Sequence, residues 1–331
     1  MNPQNILNAI EQFKNLNILV IGDVILDAYY RGKVNRISPE APVSILDIEK
    51  KEYRLGGAAN VALNIQGLGA SPILCSVLGS DFAGKQVLEL MNKHSLSIAG
   101  MSSSAARITS LKTRLVSNHH QLLRMDEEQN DLIADLDHKS LIARIIDLLN
   151  SEQPDAIIFE DYDKGVISAV LIQAIISEAR KRKIAITVDP KRRNFLSYAG
   201  VTLFKPNLKE LRDGLNQQDI SSDPESLYQA YNFLNDVMPT EMVLFTLSGN
   251  GMFIASEKES HHIEAHQRNI ADVSGAGDTV ISVATCALAS GLGMHEIAYI
   301  SNFAGGWVCQ YPGVVSIDTK TLKNEISKIT A

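Results

Sequence analysis

The sequence has few cysteines and no long apolar run. Cys75, Cys286 and Cys309 are the only cysteines among 331 residues, and each lies in an apolar stretch. This excludes a disulfide-rich secreted scaffold and indicates buried, reduced thiols. The N-terminus has no basic segment followed by an apolar run, so we expect no secretory signal. The most apolar helix candidate, residues 279–290, is shorter than the ~20 residues that a membrane span needs. We expect a soluble, cytoplasmic protein.

The sequence also lacks an excess of positive charge. Its 31 Lys and Arg residues against 38 Asp and Glu residues give a formal net charge of −7. This balance argues against a nucleic-acid partner and against binding to an anionic membrane surface. Local groups would therefore have to hold any anionic small molecule. The 45% of hydrophobic residues is ordinary for a globular protein with a sizeable core.

Short apolar runs alternate with amphipathic segments along most of the chain. The predicted buried strands are residues 17–22, 73–78, 155–159, 184–188, 201–204 and 242–247. The predicted helices are residues 58–68, 82–93, 138–150, 166–182, 225–237, 275–290, 295–310 and 319–328. This alternation is typical of βαβ units, and it predicts an α/β fold with a mainly parallel sheet between two layers of helices.

Two segments interrupt the alternation. Residues 28–55 and 106–126 show period-two patterning with little helical periodicity, which predicts antiparallel strands. These strands form either a small second sheet, such as a lid over a cleft, or two irregular surface hairpins. Because no internal repeat or Pro-rich linker divides the chain, we expect a single domain over residues 1–331 with the lid strands inserted at these two places.

The strongest local signal is the segment Asp272-Val273-Ser274-Gly275-Ala276-Gly277-Asp278-Thr279, directly before an apolar helix. Its glycines permit a tight turn and a close approach to a ligand. The helix start offers backbone N–H groups and the positive end of its dipole to an anion. A carboxylate at this place suits a base that takes the proton of a hydroxyl attacking a phosphate. The alternative is that Asp278 only caps the first turn of the helix.

Two other segments carry polar residues at positions where α/β proteins bind ligands. Gly56-Gly57-Ala58-Ala59-Asn60 begins a helix, where small residues admit a polar ligand and Asn60 offers its amide; the glycine pair can also serve packing alone. Asp23 and Asp27 follow the first strand, at the edge where open sheets bind ligands. Their carboxylates suit the hydroxyls of a polyol, although one of them can instead cap a turn.

Together these motifs resemble the ribokinase-like (PfkB-type) carbohydrate kinases over essentially the whole chain. Gly56, Gly57 and Asn60 match the first signature of that family, and Asp272 with residues 275–279 matches the second. The resemblance implies a three-layer α/β/α sandwich with a mainly parallel central sheet and a small β-sheet lid. It also implies ATP as phosphoryl donor, with Mg²⁺. The implied catalytic groups are the base Asp278 and an anion hole at Gly275, Ala276 and Gly277.

The same resemblance assigns a nucleotide side to the site. Asn207 and Glu210 match an N-x-x-E motif that supports the Mg²⁺ of the nucleotide, largely through water. The positions implied to line the nucleotide are Thr246, Ser248, Gly249, Gly251 and Asn302. Trp307 is bulkier than the small residues common beside the adenine. Asp272 resembles a position near a monovalent-cation site in some members of the family.

One branch of the family fits best. Residues 36–43, 161–165, 189–191 and 272–275 resemble the D-glycero-β-D-manno-heptose-7-phosphate kinases of lipopolysaccharide core synthesis. This resemblance implies phosphorylation of the 1-hydroxyl of the heptose 7-phosphate to the 1,7-bisphosphate. The residues expected to bind the sugar are Asp23, Asp27, Gly57 and Asn60, and those expected to bind the 7-phosphate are Arg124 and Lys191.

Two other functions are weighed against this one. The first is a kinase of the same family for another sugar, fructokinase-like or ketodeoxygluconate-type, which residues 36–43 disfavour. The second is a catalytically silent sugar or nucleotide sensor, which the intact Asp278 disfavours. The sequence has no H-x-G-H nucleotidyl-transfer motif, so we expect another polypeptide to complete ADP-heptose. A homodimer through the lid strands is expected from the family and from the open edge of such a sheet.

Overall fold

The alternating segments fold into two sheets and ten helices within the part of the chain that the computed structural model describes, residues 3–118, 120–266 and 268–328. The strands are β1 (Asn17–Gly22), β2 (Val24–Ile37), β3 (Ser44–Gly57), β4 (Ser71–Gly79), β5 (Ser97–Ser104), β6 (Ser110–Ser117), β7 (His120–Glu127), β8 (Ala156–Glu160), β9 (Ala185–Asp189), β10 (Leu203–Phe204), β11 (Met242–Thr246), β12 (Met252–Ala255) and β13 (Ser260–Ile263). The helices are α1 (Pro3–Gln12), α2 (Ala58–Gly67), α3 (Phe82–Lys93), α4 (Asp135–Ser151), α5 (Ala169–Arg182), α6 (Leu208–Leu215), α7 (Pro224–Val237), α8 (Ala276–Ala289), α9 (Met294–Val308) and α10 (Thr319–Lys328).

The central sheet has nine strands in the order β13-β12-β11-β10-β9-β8-β1-β4-β5. The strands from β5 to β11 in this order are parallel, and β12 and β13 are added antiparallel at one edge. Alternate side chains of β1 enter different cores. Ile18 and Val20 pack with α2, α8 and α9, whereas Leu19 and Ile21 pack with α4, α5 and α7. The predicted sheet between two layers of helices is therefore confirmed.

The two period-two segments form a separate four-stranded sheet, called here the small sheet, in the order β3-β2-β6-β7. β2 pairs antiparallel with β3 and parallel with β6, and β6 pairs antiparallel with β7. β2 begins directly after β1, and β3 leads into α2 through Gly57, whose φ of 60° favours glycine. A Cβ atom on Gly57 would also overlap the carbonyl oxygen of Asp23. The small sheet is thereby joined to the central sheet where β1 ends.

Several boundaries differ from those that the sequence predicts. α5 begins at Ala169 rather than at residue 166, because the Ser168 side chain accepts a hydrogen bond from the Leu171 amide (3.2 Å) and caps the helix. β10 is only two residues long, and α1, α6, β5, β12 and β13 are additional elements. All three cysteines are buried and free. Among the described residues, no helix combines the length and apolar character that crossing a membrane requires.

Candidate active site

The carboxylate of Asp278 lies in the first turn of α8, where the glycine motif meets the helix. Gly275 is the residue before the helix and has the left-handed φ of 78°, so the chain turns sharply there. In the part of the chain that the structure describes, the Asp278 carboxylate accepts hydrogen bonds from the side chains of Asn60 and Tyr162 rather than from a backbone amide at the start of α8, which disfavours the capping alternative. The Ala276 amide, one of the predicted anion-hole groups, donates a long hydrogen bond (3.3 Å) to the Val273 carbonyl. The motif therefore places a carboxylate beside a helix N-terminus.

Each oxygen of the Asp278 carboxylate accepts one hydrogen bond from an uncharged side chain. The Asn60 amide nitrogen lies 2.5 Å from Oδ2, and the Tyr162 hydroxyl lies 2.8 Å from Oδ1. Asp278 is 5% exposed. Burial raises its pKa to about 6, although the hydrogen bonds from Asn60 and Tyr162 act to lower it. A carboxylate with this pKa is ionised at neutral pH and still basic enough to take a proton.

Asn60 is held in place by the packing of α2 against α8. The Asn64 amide nitrogen donates to the Asn60 carbonyl oxygen (2.9 Å), and the Thr279 hydroxyl donates to Asn64 Oδ1 (3.0 Å). All of these groups are buried. A polar network this well satisfied fixes the Asn60 amide relative to Asp278. The two glycine motifs, about two hundred residues apart in the sequence, thus meet in one site.

Asp27 faces a group of arginines on the small sheet. Its Oδ1 accepts a hydrogen bond from Arg114 Nη1 at 2.5 Å. The guanidinium carbons of Arg54 and Arg114 lie 4.9 Å and 5.2 Å from the centre of the Tyr29 ring. Arg124 is the register partner of Arg114 on β7, so both side chains project from the same face of the small sheet. Sequence reasoning missed Arg54 and Arg114, which the period-two spacing of the strands could have placed on the face of Asp27.

The Asp23 side chain, predicted to bind sugar, is fully buried beneath the turn of residues 161–166. Its Oδ2 accepts hydrogen bonds from the Tyr162 amide (3.1 Å) and the Lys164 amide (3.0 Å), and its Oδ1 accepts one from Val166 (3.0 Å). Arg107 lies 3.8 Å from Oδ1. The Asp23 carboxylate is therefore occupied by hydrogen bonds from the turn that carries Tyr162. Direct contact between Asp23 and a sugar stays a prediction.

The N-x-x-E motif begins α6 on the other side of the site. Asn207 caps α6 by accepting from the Glu210 amide, while Glu210 Oε2 accepts from the Asn207 amide, both at 2.9 Å. Lys191 Nζ lies 2.5 Å from Glu210 Oε1 and 3.5 Å from Asp189 Oδ1. Burial lowers the pKa of Lys191, but these carboxylates raise it well above its ordinary value. Lys191 thus lies beside the predicted nucleotide residues, on a different element from Arg124.

The other predicted nucleotide residues lie near the carboxyl end of β11 and on α9. Asn207 forms a parallel bridge with Thr246, which ends β11. Ser248 and Gly249 lie in a single 3₁₀ turn that is followed by Gly251 with φ 84°. On α9, the Asn302 amide nitrogen donates to the Glu264 carbonyl oxygen (2.8 Å). The structure therefore brings the β11 turn next to α6.

The oxygen donors on the nucleotide side suit a magnesium ion that is carried by a nucleotide. Mg²⁺ is commonly held by one or two carboxylates together with phosphates and water. Glu210 supplies one carboxylate, and the buried Asp189 Oδ1, although ion-paired with Lys191, has no hydrogen-bond partner within the described part of the chain. Across residues 3–118, 120–266 and 268–328, no group of three or more His, Cys, Asp or Glu side chains is arranged to hold a metal ion by itself.

Asp272, predicted to lie near a monovalent cation, bridges two loops. Its Oδ1 accepts a hydrogen bond from the Ser274 amide and its Oδ2 accepts one from the Gly313 amide, both at 2.9 Å. Burial raises the pKa of Asp272, but the backbone N–H groups outweigh burial and lower it below its usual value. The carboxylate therefore stays ionised and ties the loop before α8 to the loop after α9.

Comparison with known proteins agrees with this geometry. The sequence model described as pfkB family carbohydrate kinase matches residues 15–321. The bifunctional proteins HldE of Methylobacillus flagellatus and Haemophilus influenzae are 37% and 36% identical over 93% and 95% of this chain. This chain spans 63% and 64% of their lengths, which is less than two thirds.

Solved structures show the same fold. Phosphofructokinase-2 from Escherichia coli in complex with potassium superposes with a TM-score of 0.77 at 17% identity, over 96% of this chain and 100% of that one. Arabidopsis thaliana ribokinase with ribose and ATP superposes with a TM-score of 0.71 at 15% identity, over 94% and 98%. At such low identity the likeness concerns the fold, which is the three-layer sandwich with a small sheet that the sequence predicts.

Proposed function

The chain belongs to the pfkB family of carbohydrate kinases, which are ATP-dependent phosphotransferases, and we propose that it phosphorylates the 1-hydroxyl of D-glycero-β-D-manno-heptose 7-phosphate. The observation that carries this proposal is the placement of one buried carboxylate, Asp278, in the first turn of α8, where it is hydrogen-bonded to Asn60 at the start of α2. Asn60 links Asp278 to the start of α2, and Asp27 lies against Gly56 directly before that helix. A sugar bound at Asp27 would therefore lie within reach of the base.

Each part of the site has one step to perform. Asp278 orients the 1-hydroxyl and takes its proton as the bond from the sugar oxygen to the γ-phosphorus forms and the bond to the departing ADP oxygen breaks. The amides at Gly275, Ala276 and Gly277 hold the phosphoryl oxygens. Asn207 and Glu210 would support the Mg²⁺ of ATP, which offsets the charge of the phosphates. Phosphoryl transfer depends mainly on such positioning and electrostatic stabilisation.

The arginines of the small sheet favour a phosphorylated sugar over a free one. Arg114 contacts Asp27 directly, and Arg54 and Arg124 project from the same face, where they pair with Glu52 (2.6 Å) and Asp126 (2.9 Å). Guanidinium groups bind phosphate with two parallel hydrogen bonds, so this face suits the 7-phosphate of a sugar that Asp27 holds. Lys191 remains a second candidate for this phosphate, although its contacts with Glu210 and Asp189 lie on the nucleotide side.

A homodimer through the small sheet is part of the proposal. Leu123 and Met125 on β7 are 54% and 43% exposed. By register they project with Leu115 and Thr113 from the face opposite Arg114 and Arg124. An exposed apolar face on an open sheet is a surface that proteins commonly cover with a partner. A monovalent cation near Asp272 is likewise proposed, because the carboxylate is ionised and sits next to the loop of the anion hole.

A substrate panel tests the function. ADP release would be measured with heptose 7-phosphate, the unphosphorylated heptose, fructose and 2-keto-3-deoxygluconate, at equal concentrations. We expect kcat/KM for heptose 7-phosphate to exceed that for the unphosphorylated heptose by at least ~100-fold, because only the phosphorylated sugar offers the arginines of the small sheet an anion that they can bind with two parallel hydrogen bonds. Faster turnover of fructose or ketodeoxygluconate would assign the chain to that activity instead. ATP binding without ADP release for any sugar would point to the sensor.

A further inference from the structure

We propose that Tyr162 is a positioning residue for the transfer, because its hydroxyl holds the Asp278 carboxylate in the orientation that receives the proton. The Tyr162 hydroxyl donates to Asp278 Oδ1 at 2.8 Å. This inference rests on the proposed role of Asp278 as base. It assigns a role to Tyr162, which the sequence indicates only as part of the segment Asp161-Tyr162-Asp163-Lys164-Gly165.

The turn that carries Tyr162 is held by two buried carboxylates. Asp23 accepts hydrogen bonds from three backbone amides of residues 161–166. Asp161 accepts from the Asn194 amide nitrogen (2.9 Å), the Tyr198 hydroxyl (3.0 Å) and the Asp163 amide (2.8 Å). Because both ends of this short turn are fixed, the Tyr162 ring is held in one position. The hydroxyl is therefore preorganised toward Asp278.

The hydrogen-bond inventory leaves room for a substrate. An ionised carboxylate has about four acceptor sites, two on each oxygen. Asn60 uses one site on Oδ2 and Tyr162 uses one site on Oδ1. Because both oxygens are hydrogen-bonded, the carboxylate cannot rotate about its χ2 bond. A lone pair that is still free on the carboxylate therefore points in one fixed direction. Aligning the base in this way avoids the loss of rate that a misplaced reacting group causes.

The charges around Asp278 decide what removal of the hydroxyl would do. Burial and the nearby Asp189 raise the pKa of Asp278, while the hydrogen bonds from Asn60 and Tyr162 and the charge of Lys205 lower it. Asp278 in turn helps to raise the pKa of the buried Glu160, which faces it. Burial raises the pKa of Tyr162 well above its ordinary value, so the hydroxyl stays protonated and remains a donor at neutral pH. Its loss would leave the Asp278 anion less stabilised against the same acidic neighbours.

Tyr162→Phe removes the hydroxyl and keeps the ring, which lies 5.5 Å from the Lys191 ammonium. A hydrogen bond to a charged group corresponds to about one pKa unit or more, so we expect the acid limb of the kcat/KM–pH profile to move up by about one unit. At a pH below the limb this is a loss of about tenfold. The loss shrinks to a few-fold on the alkaline plateau, and the KM for ATP stays unchanged. Tyr231→Phe is the matched control, because that buried hydroxyl on α7 has no hydrogen-bond partner among the residues that the structure describes.

Two results would overturn the inference: an acid limb that does not move, or a kcat that falls equally at every pH, which is the mark of a merely structural residue. If Tyr162→Phe folds poorly, 3-fluorotyrosine at position 162 keeps ring and hydroxyl. As a stronger donor it should move the limb down, and an unmoved limb would again refute the positioning role.

Asp278→Asn separates this inference from the proposed function. If Asp278→Asn keeps its activity within tenfold of the wild type, the base assignment fails and the inference fails with it. If Asp278→Asn is inactive but Tyr162→Phe leaves the acid limb in place, only the inference about Tyr162 fails. Adding Tyr162→Phe to Asp278→Asn should cause no further loss of rate, because residues that act through one group are not additive.

Discussion

Replacement of Asp278 by Asn should slow the enzyme and at the same time stabilise its fold. Burial raises the pKa of Asp278 from 3.8 to about 6. A carboxyl group whose pKa is raised on folding destabilises the native state at every pH where that group is ionised in the unfolded chain. At pH 7 a difference of about two pKa units corresponds to ~3 kcal/mol of the free energy of unfolding. The neutral amide of Asn removes this penalty.

The site can accept the amide without losing its hydrogen bonds. The new amide oxygen can face Asn60, and the new NH₂ group can face the Tyr162 hydroxyl, which is able to accept as well as donate. With an entropy of unfolding near 2.1 cal/mol/K per residue, ~3 kcal/mol raises the Tm of a chain of 331 residues by about 4 °C. The gain should fall to about half at pH 5 and vanish near pH 3.5, where Asp278 is protonated in both states.

The assay is thermal unfolding of wild type and variant at pH 8 and pH 5, alongside ADP release. Asp147→Asn, an exposed carboxylate on α4, is the control and should leave Tm and rate unchanged. We expect Asp278→Asn to lose at least 10²-fold in kcat, the scale of one transition-state contact, while ATP still binds. A variant that melts at or below the wild-type temperature at pH 8 would refute the conclusion that the buried, ionised carboxylate of Asp278 destabilises the fold. Activity within tenfold of the wild type would refute the role of Asp278 as base.

Three other outcomes follow from the proposed function. If Lys191 rather than the arginines binds the 7-phosphate, Lys191→Ala should raise the KM for the phosphorylated sugar at unchanged KM for ATP; an effect on the KM for ATP alone would assign Lys191 to the nucleotide. Leu123→Lys with Met125→Lys should convert the proposed dimer to a monomer in light scattering, while Val170→Lys, exposed on α5, should not; a dimer mass that the two lysines leave unchanged would place the interface elsewhere. Replacing K⁺ by tetramethylammonium should lower kcat several-fold, and an equal kcat would exclude a monovalent cation near Asp272.

The sequence predicts those elements whose signal is local. β1 and β8 are runs of β-branched and other apolar residues buried on both faces, so they are evident from composition. β5 has the sequence Ser-Ile-Ala-Gly-Met-Ser-Ser-Ser, whose small residues lack strand propensity, and it forms because the edge of β4 is available for pairing. α6 has eight residues, little more than two turns, which is too short for its helical periodicity to stand out, and its capping box at Asn207 is the stronger signal.

In the site, too, the local features are predictable from the sequence and the long-range contacts are not. The glycine motifs before α2 and α8 identify Asn60 and Asp278 because a turn and a helix start are local features. The pair of Asp27 and Arg114 joins residues 87 positions apart, and the pair of Tyr162 and Asp278 joins residues 116 apart. Such contacts depend on the register of the small sheet and on the crossover from β8 to β9. Periodicity and local motifs do not give that information.

The way in which the buried carboxylates near the site are paired also bears on why Asp278 in particular can act as a base. Most buried carboxylates near the site are matched by cations or amides: Asp27 by Arg114, and Asp189 by Lys205 and Lys191. Asp278 has only uncharged donors, and so does Asp161, whose pKa burial likewise raises to about 6. The pKa alone does not distinguish these two groups. Asp161 is enclosed by the turn that it holds, whereas Asp278 lies at the N-terminus of α8, where a phosphoryl group would be attacked. Asp278 is the candidate base because it combines basicity with a position where an anion would bind. Basicity alone does not single it out.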